Sequence, residues 1–511
     1  MSGHDDSLEL AQLGYKQELE RSLGSFSSFA AGFSYISILT GVFQLFFFGF
    51  ASGGPAFFWT WPMVFLGQLL VALCFAELAA RFPLAGSVYQ WSKQIASPLV
   101  SWMAGWTMII GAIVTVAAVA VAYQIILPQV SPRFEIIGGR ADIGLVTTPE
   151  GAKNAVVLAL GLVILTTVVN CIGVRLMAII NNIGVAAELT GGSLLVLLLA
   201  IHIRRGPQVV FDTNGTAAGH QWGYLGAFLV ASLMSAYVFY GFDTAGSLAE
   251  ETNEPRRHAP PAIIRALAAA ALLGGLLMLV GMMAVGNIHA SQLSTSGLPY
   301  LIKSTLGNTL GNVFLIDSAV AITVCCLAVH TAAIRLMFSM ARDNRLPFGS
   351  AIARVSGRSK TPIVPAVVIG GATLGLLLIN VGNQRVFFLL TSVAIVLFYL
   401  SYLMVTIPLL RQRLRGAWPR ADHGPYFSLG RWGMPVNVLA VAYGVAMTIN
   451  IAWPRAAVYG NDQWYFQYGA FVICGLVGLI GGLYYLTVQR RKPAGVIAEH
   501  RADLVAAPAK A

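Results

Sequence analysis

Residues Ser235–Thr252 read SAYVFYGFDTAGSLAEET. The stretch is apolar enough for a bilayer, yet Gly241 and Gly246 interrupt it and Asp243 lies half-way along. A carboxylate at mid-membrane costs about 2.5–3.5 kcal/mol on insertion scales, so it needs a partner or a function. Backbone polar groups in lipid have to be satisfied internally, so a helix breaks only where it lines a cavity. A second stretch, FSYISILTGVF (Phe33–Phe43), carries the same signs, with Ser34, Ser37, Thr40 and Gly41 in an apolar setting. An opened helix presents amides that suit a carboxylate and carbonyls that suit an ammonium group or a cation. The plainer readings are small-residue packing between close helices for the first stretch and a structural hydrogen bond to unwound backbone for Asp243.

Around these two stretches the chain is built for lipid. Of its 511 residues, 57% are hydrophobic and 10% charged, against about 25% charged in a soluble domain. Apolar runs long enough to cross roughly 30 Å of hydrocarbon recur throughout. They predict twelve spans, at 26–50, 56–80, 98–127, 154–173, 178–203, 224–250, 262–286, 310–340, 362–382, 386–410, 433–453 and 465–488. The net charge of +11 follows membrane topology rather than a nucleic-acid partner. With the N-terminus inside, 24 of the 32 Lys and Arg residues fall on inner segments, which places both termini in the cytoplasm. No cleavable leader precedes about Phe26, so the first span is expected to act as its own insertion signal. The stretch 7–23, with Leu8, Leu13, Leu19 and Leu23 among charges, reads either as a helix lying along the inner membrane surface or as a disordered tail. The longest outer loop, 128–153, is too short for a domain. The five cysteines (Cys74, Cys171, Cys325, Cys326 and Cys474) sit inside spans without metal-ligand spacing and read as small core residues. No catalytic residue, cofactor or metal is expected.

The two interrupted spans are five apart. If spans 1–5 and 6–10 are repeats, their odd number inverts the second, and paired broken helices then enclose a site at the midplane. This divides the chain into a tail (1–25), a first repeat (26–203), a second repeat (204–415), two further helices (416–489) and a second tail (490–511).

Four stretches carry a resemblance: GYKQELERSLGSFSSFAAGFSYIS (Gly14–Ser37); GGPAFFWTW (Gly53–Trp61) with FAELAARFPLAGSVYQW (Phe75–Trp91); GFDTAGSLAEETNEPRRHAPPAI (Gly241–Ile263); and SMARDNRLP (Ser339–Pro347). In these the chain resembles permeases of the amino acid–polyamine–organocation superfamily, most closely the amino acid and choline transporter branch that includes GABA permeases. The resemblance implies an all-α polytopic fold like that of leucine transporters, two inverted five-helix repeats plus two peripheral helices. It implies substrate held between spans one and six, near Ser37, Ile38, Leu39, Thr40 and Gly41 and near Tyr240, Gly241, Phe242, Asp243 and Thr244. The family's glycine-rich first break is replaced here by Ser37-Ile38-Leu39-Thr40-Gly41. NCIGVRLMAIINNIGVAAELT (Asn170–Thr190) resembles a pattern of cationic amino acid transporters in which a lysine stands where Glu188 does; Glu188 is thus a candidate for binding a coupling proton or cation. His330 and Thr331 are further coupling candidates, and a neutral packing histidine is the plainer reading of His330. Asp317 lies in the outer third of its span, facing either an outer vestibule or another helix.

Glu77, Arg81, Glu250, Glu251 and the pair Arg342-Asp343 read as inner-gate or loop-folding residues. Tyr35, Phe239, Phe242, Trp102 and Tyr399 read as gating or stacking aromatics, or as packing. The expected function is secondary transport of an amino acid or related amine by alternating access, coupled to protons or to exchange, in the plasma membrane. A choline or polyamine carrier is the alternative. A channel would need a polar stripe through several spans, and a membrane enzyme clustered catalytic side chains; the sequence offers neither.

Overall fold

The computed structural model describes residues 7, 10–138, 148–218, 220, 222–379, 381, 386–419, 424–459, 463–492 and 495–502. Among them the regular structure is helical, with two isolated backbone bridges, Tyr15 to Arg501 and Leu23 to Thr252. Among the described residues ten helices are long and apolar enough to cross a bilayer, and two shorter apolar helices, Tyr224–Val238 and Ile363–Ile379, complete the twelve expected segments. The first and sixth spans are each in two pieces: Ser25–Ile36 with Ile38–Gly53, and Tyr224–Val238 with Thr244–Ser247.

Burial separates core from periphery. Of the first span's most apolar window 94% is buried, against 11% for the last span, Gly469–Arg491. The first span is therefore wrapped by other helices while the last faces lipid. Local sequence sets many helix starts. Pro98, Pro149 and Pro255 open helices where the missing N–H costs nothing, and Thr148 caps the fourth span by accepting from Gly151 N at 3.1 Å. Gly173 separates the fourth span (Pro149–Ile172) from the fifth (Val174–Ile201).

Several sequence-based boundaries need correction. The fourth, fifth and seventh helices begin at Pro149, Val174 and Pro255, earlier than hydropathy places them, because a helix continues into polar sequence that a hydropathy window rejects. The third span (Pro98–Val121) runs on through a turn at Ala122 to Tyr123–Val130. The eighth starts at Leu298, not near 310, and bends at Gly307, whose φ of 82° is outside the helical region. A helix at Ser87–Ile95, between the second span (Thr60–Arg81) and the third, has no counterpart in the predicted spans. The described part of the stretch 7–23 is neither laid on the membrane nor loose: Leu10, Tyr15, Leu19 and Leu23 are at most 3% exposed, and Ser22 N and Leu23 N both donate to Glu251 O. The middle of the loop 128–153 and the ends of both tails lie outside the described residues.

Candidate substrate site

The break in the first span centres on Ser37, which has a φ of 30°. Ser37 N donates to Phe33 O and closes the leading half; Gly41 N donates to Ser37 O and opens the trailing half. The Ser37 hydroxyl accepts from Thr40 N at 3.3 Å and pairs with Thr40 Oγ1 at 2.6 Å. The helix Ile38–Gly53 thus starts in mid-protein with its positive end pointing inward. Glu188 of the fifth span meets that end. Its Oε1 accepts from Leu39 N and from Ser37 Oγ, both at 3.0 Å. Its Oε2 is buried without a hydrogen-bond partner, and the residue is 1% exposed. The amides of Leu39, Thr40 and Gly41 all donate within the chain, so a substrate carboxylate has to share or displace those bonds.

The sixth span breaks between Phe239, whose N donates to Ser235 O, and Thr244, whose N donates to Gly241 O. Asp243 organises this break. Its Oδ1 accepts from the Tyr402 hydroxyl at 2.5 Å and its Oδ2 from Ser87 Oγ at 2.7 Å. Ser247 Oγ donates in turn to Ser87 Oγ at 2.8 Å, and the Tyr402 hydroxyl accepts from Gly241 N at 2.8 Å. Gly241 is required twice over: its φ is +88°, and an added Cβ would stand 1.9 Å from the Tyr35 ring. A Cβ on Gly41 would already meet Val238 Cγ2 at 2.6 Å, so these two glycines let the interrupted spans touch.

Between the breaks lies a narrow void of about 10 Å³, room for about one water molecule. Tyr35, Thr40, Gly41 and Tyr240, all singled out by sequence, line it. So do Thr115 and Val119 of the third span, Tyr237 and Cys325, none of which sequence reasoning placed at a site. Their only signal was a small or aromatic residue in an apolar helix, shared by dozens of others. The hydroxyl of Tyr35 is buried there without a partner, and that of Tyr237 lies beside the Gln44 side chain. Phe239 and Phe242 turn away from the void: Phe239 packs on Trp61 with ring centres 4.3 Å apart, and Phe242 on Tyr402 at 5.4 Å. Ile38 packs toward Gly274 of the seventh span.

His330 and Thr331 are not brought to Glu188. The His330 Nε2 lies 3.1 Å from Ala366 O, which can only accept, so Nε2 carries the hydrogen, and Nδ1 meets Thr166 Oγ1 at 3.2 Å. Thr331 donates to Asn170 Oδ1 at 2.8 Å. Both residues tie the eighth span to its neighbours, His330 to the fourth and ninth and Thr331 to the fourth, on a face of the helix away from the one that carries Cys325 to the void.

The expected gate residues gather on the face that carries both chain ends. Arg335 grips Glu251 through two nitrogens, at 2.7 and 3.0 Å. Arg342 grips Glu250 in the same way, and Glu250 Oε1 also accepts from Ala85 N at 2.9 Å. Asp343 accepts from Lys93 Nζ at 2.6 Å, from the Tyr89 hydroxyl at 2.8 Å and from the Tyr15 hydroxyl at 3.0 Å. Glu77 acts apart from these pairs. Arg413, Trp418 Nε1, Ser428 Oγ and Leu429 N all donate to it, which fixes the segment after the tenth span. Arg81 ends the second span with its guanidinium 5.6 Å from the Phe82 ring.

Two interrupted spans around a buried void, in a bundle of twelve apolar helices, define a multi-pass membrane transporter. A model of the amino acid permease family matches residues 23–477, and the chain belongs to that family, within the amino acid–polyamine–organocation superfamily. It is 28% identical to the amino-acid permease BAT1 of Arabidopsis thaliana over 92% of each chain. It is 26% identical to the branched-chain amino acid permease BcaP of Bacillus subtilis, over 87% of this chain and 91% of that one. It is also 26% identical to a methylthioribose transporter of Bacillus subtilis, over 75% of this chain and 82% of that one. The chain is a secondary transporter of amino acids or related compounds, and not an enzyme.

Proposed function

We propose that the void between the interrupted spans is the substrate site, caught closed on both sides, and that its substrate is a small amino acid whose uptake is driven by protons through Glu188. The observation that carries the site is the buried, unpartnered hydroxyl of Tyr35 at the void. Buried polar groups are nearly always hydrogen-bonded, so a ligand with polar atoms is the natural partner. A void of about 10 Å³ is far below the roughly 300–1,000 Å³ of a small-molecule pocket, so the aromatic wall has to swing for substrate to enter. The substrate ammonium meets backbone carbonyls at the breaks and the faces of Tyr35, Tyr237 and Tyr240. Asp243 acts behind the site, holding the second break through Tyr402 and Ser87.

Glu188 supports the coupling. One oxygen holds the first break and the other is unpaired in a dry setting. Gain of a proton then weakens its grip on Ser37 and Leu39 and frees the helix end to move. The face carrying the chain ends is the cytoplasmic one, on the distribution of basic residues, and the membrane is the plasma membrane.

The test is uptake of labelled GABA, leucine, arginine, glutamate and choline into liposomes holding the purified protein, with and without an inward proton gradient. Amino acid uptake accelerated by the gradient supports the proposal. Glu188→Gln is then expected to abolish the acceleration while leaving exchange of pre-loaded substrate measurable; gradient-driven uptake that survives this substitution overturns the role of Glu188. One observation favours an amine carrier as a second reading: Glu188 and Ser37 occupy the amides a substrate carboxylate would use. Uptake of choline alone would select it.

A further inference from the structure

On the face that carries the chain ends, a groove of about 660 Å³ runs between the tenth span (Val386–Leu414) and the start of the third. Its rim holds Arg411 and Arg415, one helical turn apart and both exposed. Neither guanidinium makes a hydrogen bond or ion pair among the described residues. Arg413 between them points the opposite way, into the protein, where it holds Glu77. The chain thus uses one arginine for its own fold and leaves two facing outward.

The wall below the arginines is apolar. Leu400, Leu403, Met404 and Ile407 form a stripe down the tenth span from Arg411 toward mid-membrane, and Val100 of the third span faces it. Ile407 is 47% exposed, so the stripe opens to the bilayer there, while Leu403 packs against Gly444 of the helix Gly433–Ala452. The top of the groove is held in shape by Gln412 Nε2, which donates to Ile95 O at 3.0 Å. Ser97 lines it as well, at the N-terminus of the 24-residue third span, where the helix dipole adds positive potential.

We propose that this groove binds an anionic phospholipid of the adjoining leaflet, its phosphate between Arg411 and Arg415 and one acyl chain along the stripe from Ile407 to Leu400. Charge complementarity selects an anionic headgroup, and basic pockets between spans at this depth are where such headgroups bind. The continuous apolar track below the arginines selects a lipid over a soluble phosphate. The bound lipid bridges the tenth span, which supplies Tyr402 to the second break, and the third, which supplies Thr115 to the void.

The experiment is native mass spectrometry of the full chain released from mixed phosphatidylglycerol and phosphatidylcholine vesicles. Wild type is expected to retain phosphatidylglycerol in preference to phosphatidylcholine. In Arg411→Gln/Arg415→Gln the preference falls by roughly thirtyfold, about 2 kcal/mol at 1.4 kcal/mol per factor of ten. Ile407→Trp, which fills the acyl track and leaves both charges, is expected to lower retention as well. Arg431→Gln serves as the control and leaves retention unchanged. Equal retention of the two lipids, or undiminished preference in the double variant, overturns the proposal. So does equal thermal protection in detergent by glycerol phosphate and by phosphatidylglycerol, which would make the site a soluble-phosphate site.

Discussion

Gly241 carries more of the site than any charged residue does. Its positive φ and the 1.9 Å approach of a hypothetical Cβ to Tyr35 leave no side chain that fits. Gly241→Ala is expected to cost on the order of 1–3 kcal/mol in strain, at about 1.36 kcal/mol per tenfold in rate. Reconstituted uptake should therefore fall at least about fivefold, while the protein remains extractable and monodisperse in detergent. Wild-type uptake in this variant would mean that the sixth-span break is not a fixed element of the cycle. Asp243 is best understood through its partners. Tyr402→Phe removes the donor to Oδ1 and the acceptor for Gly241 N. It is expected to reduce uptake at every substrate concentration, since it loosens the break without touching substrate; a change in apparent affinity alone would put Tyr402 in the binding surface instead.

At the scale of elements, the closed face depends on charges brought from distant helices. Arg335 and Arg342 on the eighth span reach Glu251 and Glu250 on the segment after the sixth-span break, and all four are buried. Removing one partner of a buried ion pair leaves the other charge uncompensated, at about 3–5 kcal/mol. Glu251→Gln and Arg335→Ala are each expected to shift the protein toward opening on this face. The native Cys325 reports it: its side chain is 2% exposed and lines the void. Its labelling by a thiol reagent, mapped by peptide mass spectrometry, should rise several-fold in either variant. Unchanged labelling would make these pairs structural and not gating.

At the scale of the whole molecule, the two chain ends close the same face together. Lys16 N donates to His500 O, Ile497 N to Arg342 O and Ala502 N to Gly14 O, and Glu18 meets His500 Nδ1 at 2.6 Å. Burial holds the Tyr15 phenol well above its ordinary pKa, with the Asp343 carboxylate adding to the effect, so Tyr15 stays a hydrogen-bond donor across the physiological range. Any opening on this face has to lift the 495–502 segment away. Truncation before residue 495 is expected to raise the initial rate of exchange while lowering thermal stability; a slower rate with unchanged stability would show that the segment assists opening.

Composition and hydropathy determined that this chain is a bundle of about twelve membrane helices, because each span has to be apolar on its own account, whatever its neighbours. The two interruptions were legible for a related reason: Asp243, Gly241 and the run of small polar residues at Ser37–Gly41 cannot sit in a bare lipid-facing helix. The family resemblance pointed to Glu188, but only the packing of the fifth span against the first set its carboxylate on the Ser37 break. The contributions of Thr115, Tyr237, Cys325 and Tyr402, the position of the Ser87–Ile95 helix and the contacts of His330 with Thr166 and Ala366 were decided by tertiary structure alone. These depend on which face of a uniformly apolar helix turns inward, and in a membrane protein hydropathy is nearly the same on every face. Periodicity therefore carries little of that information, and only the contacts between helices supply it.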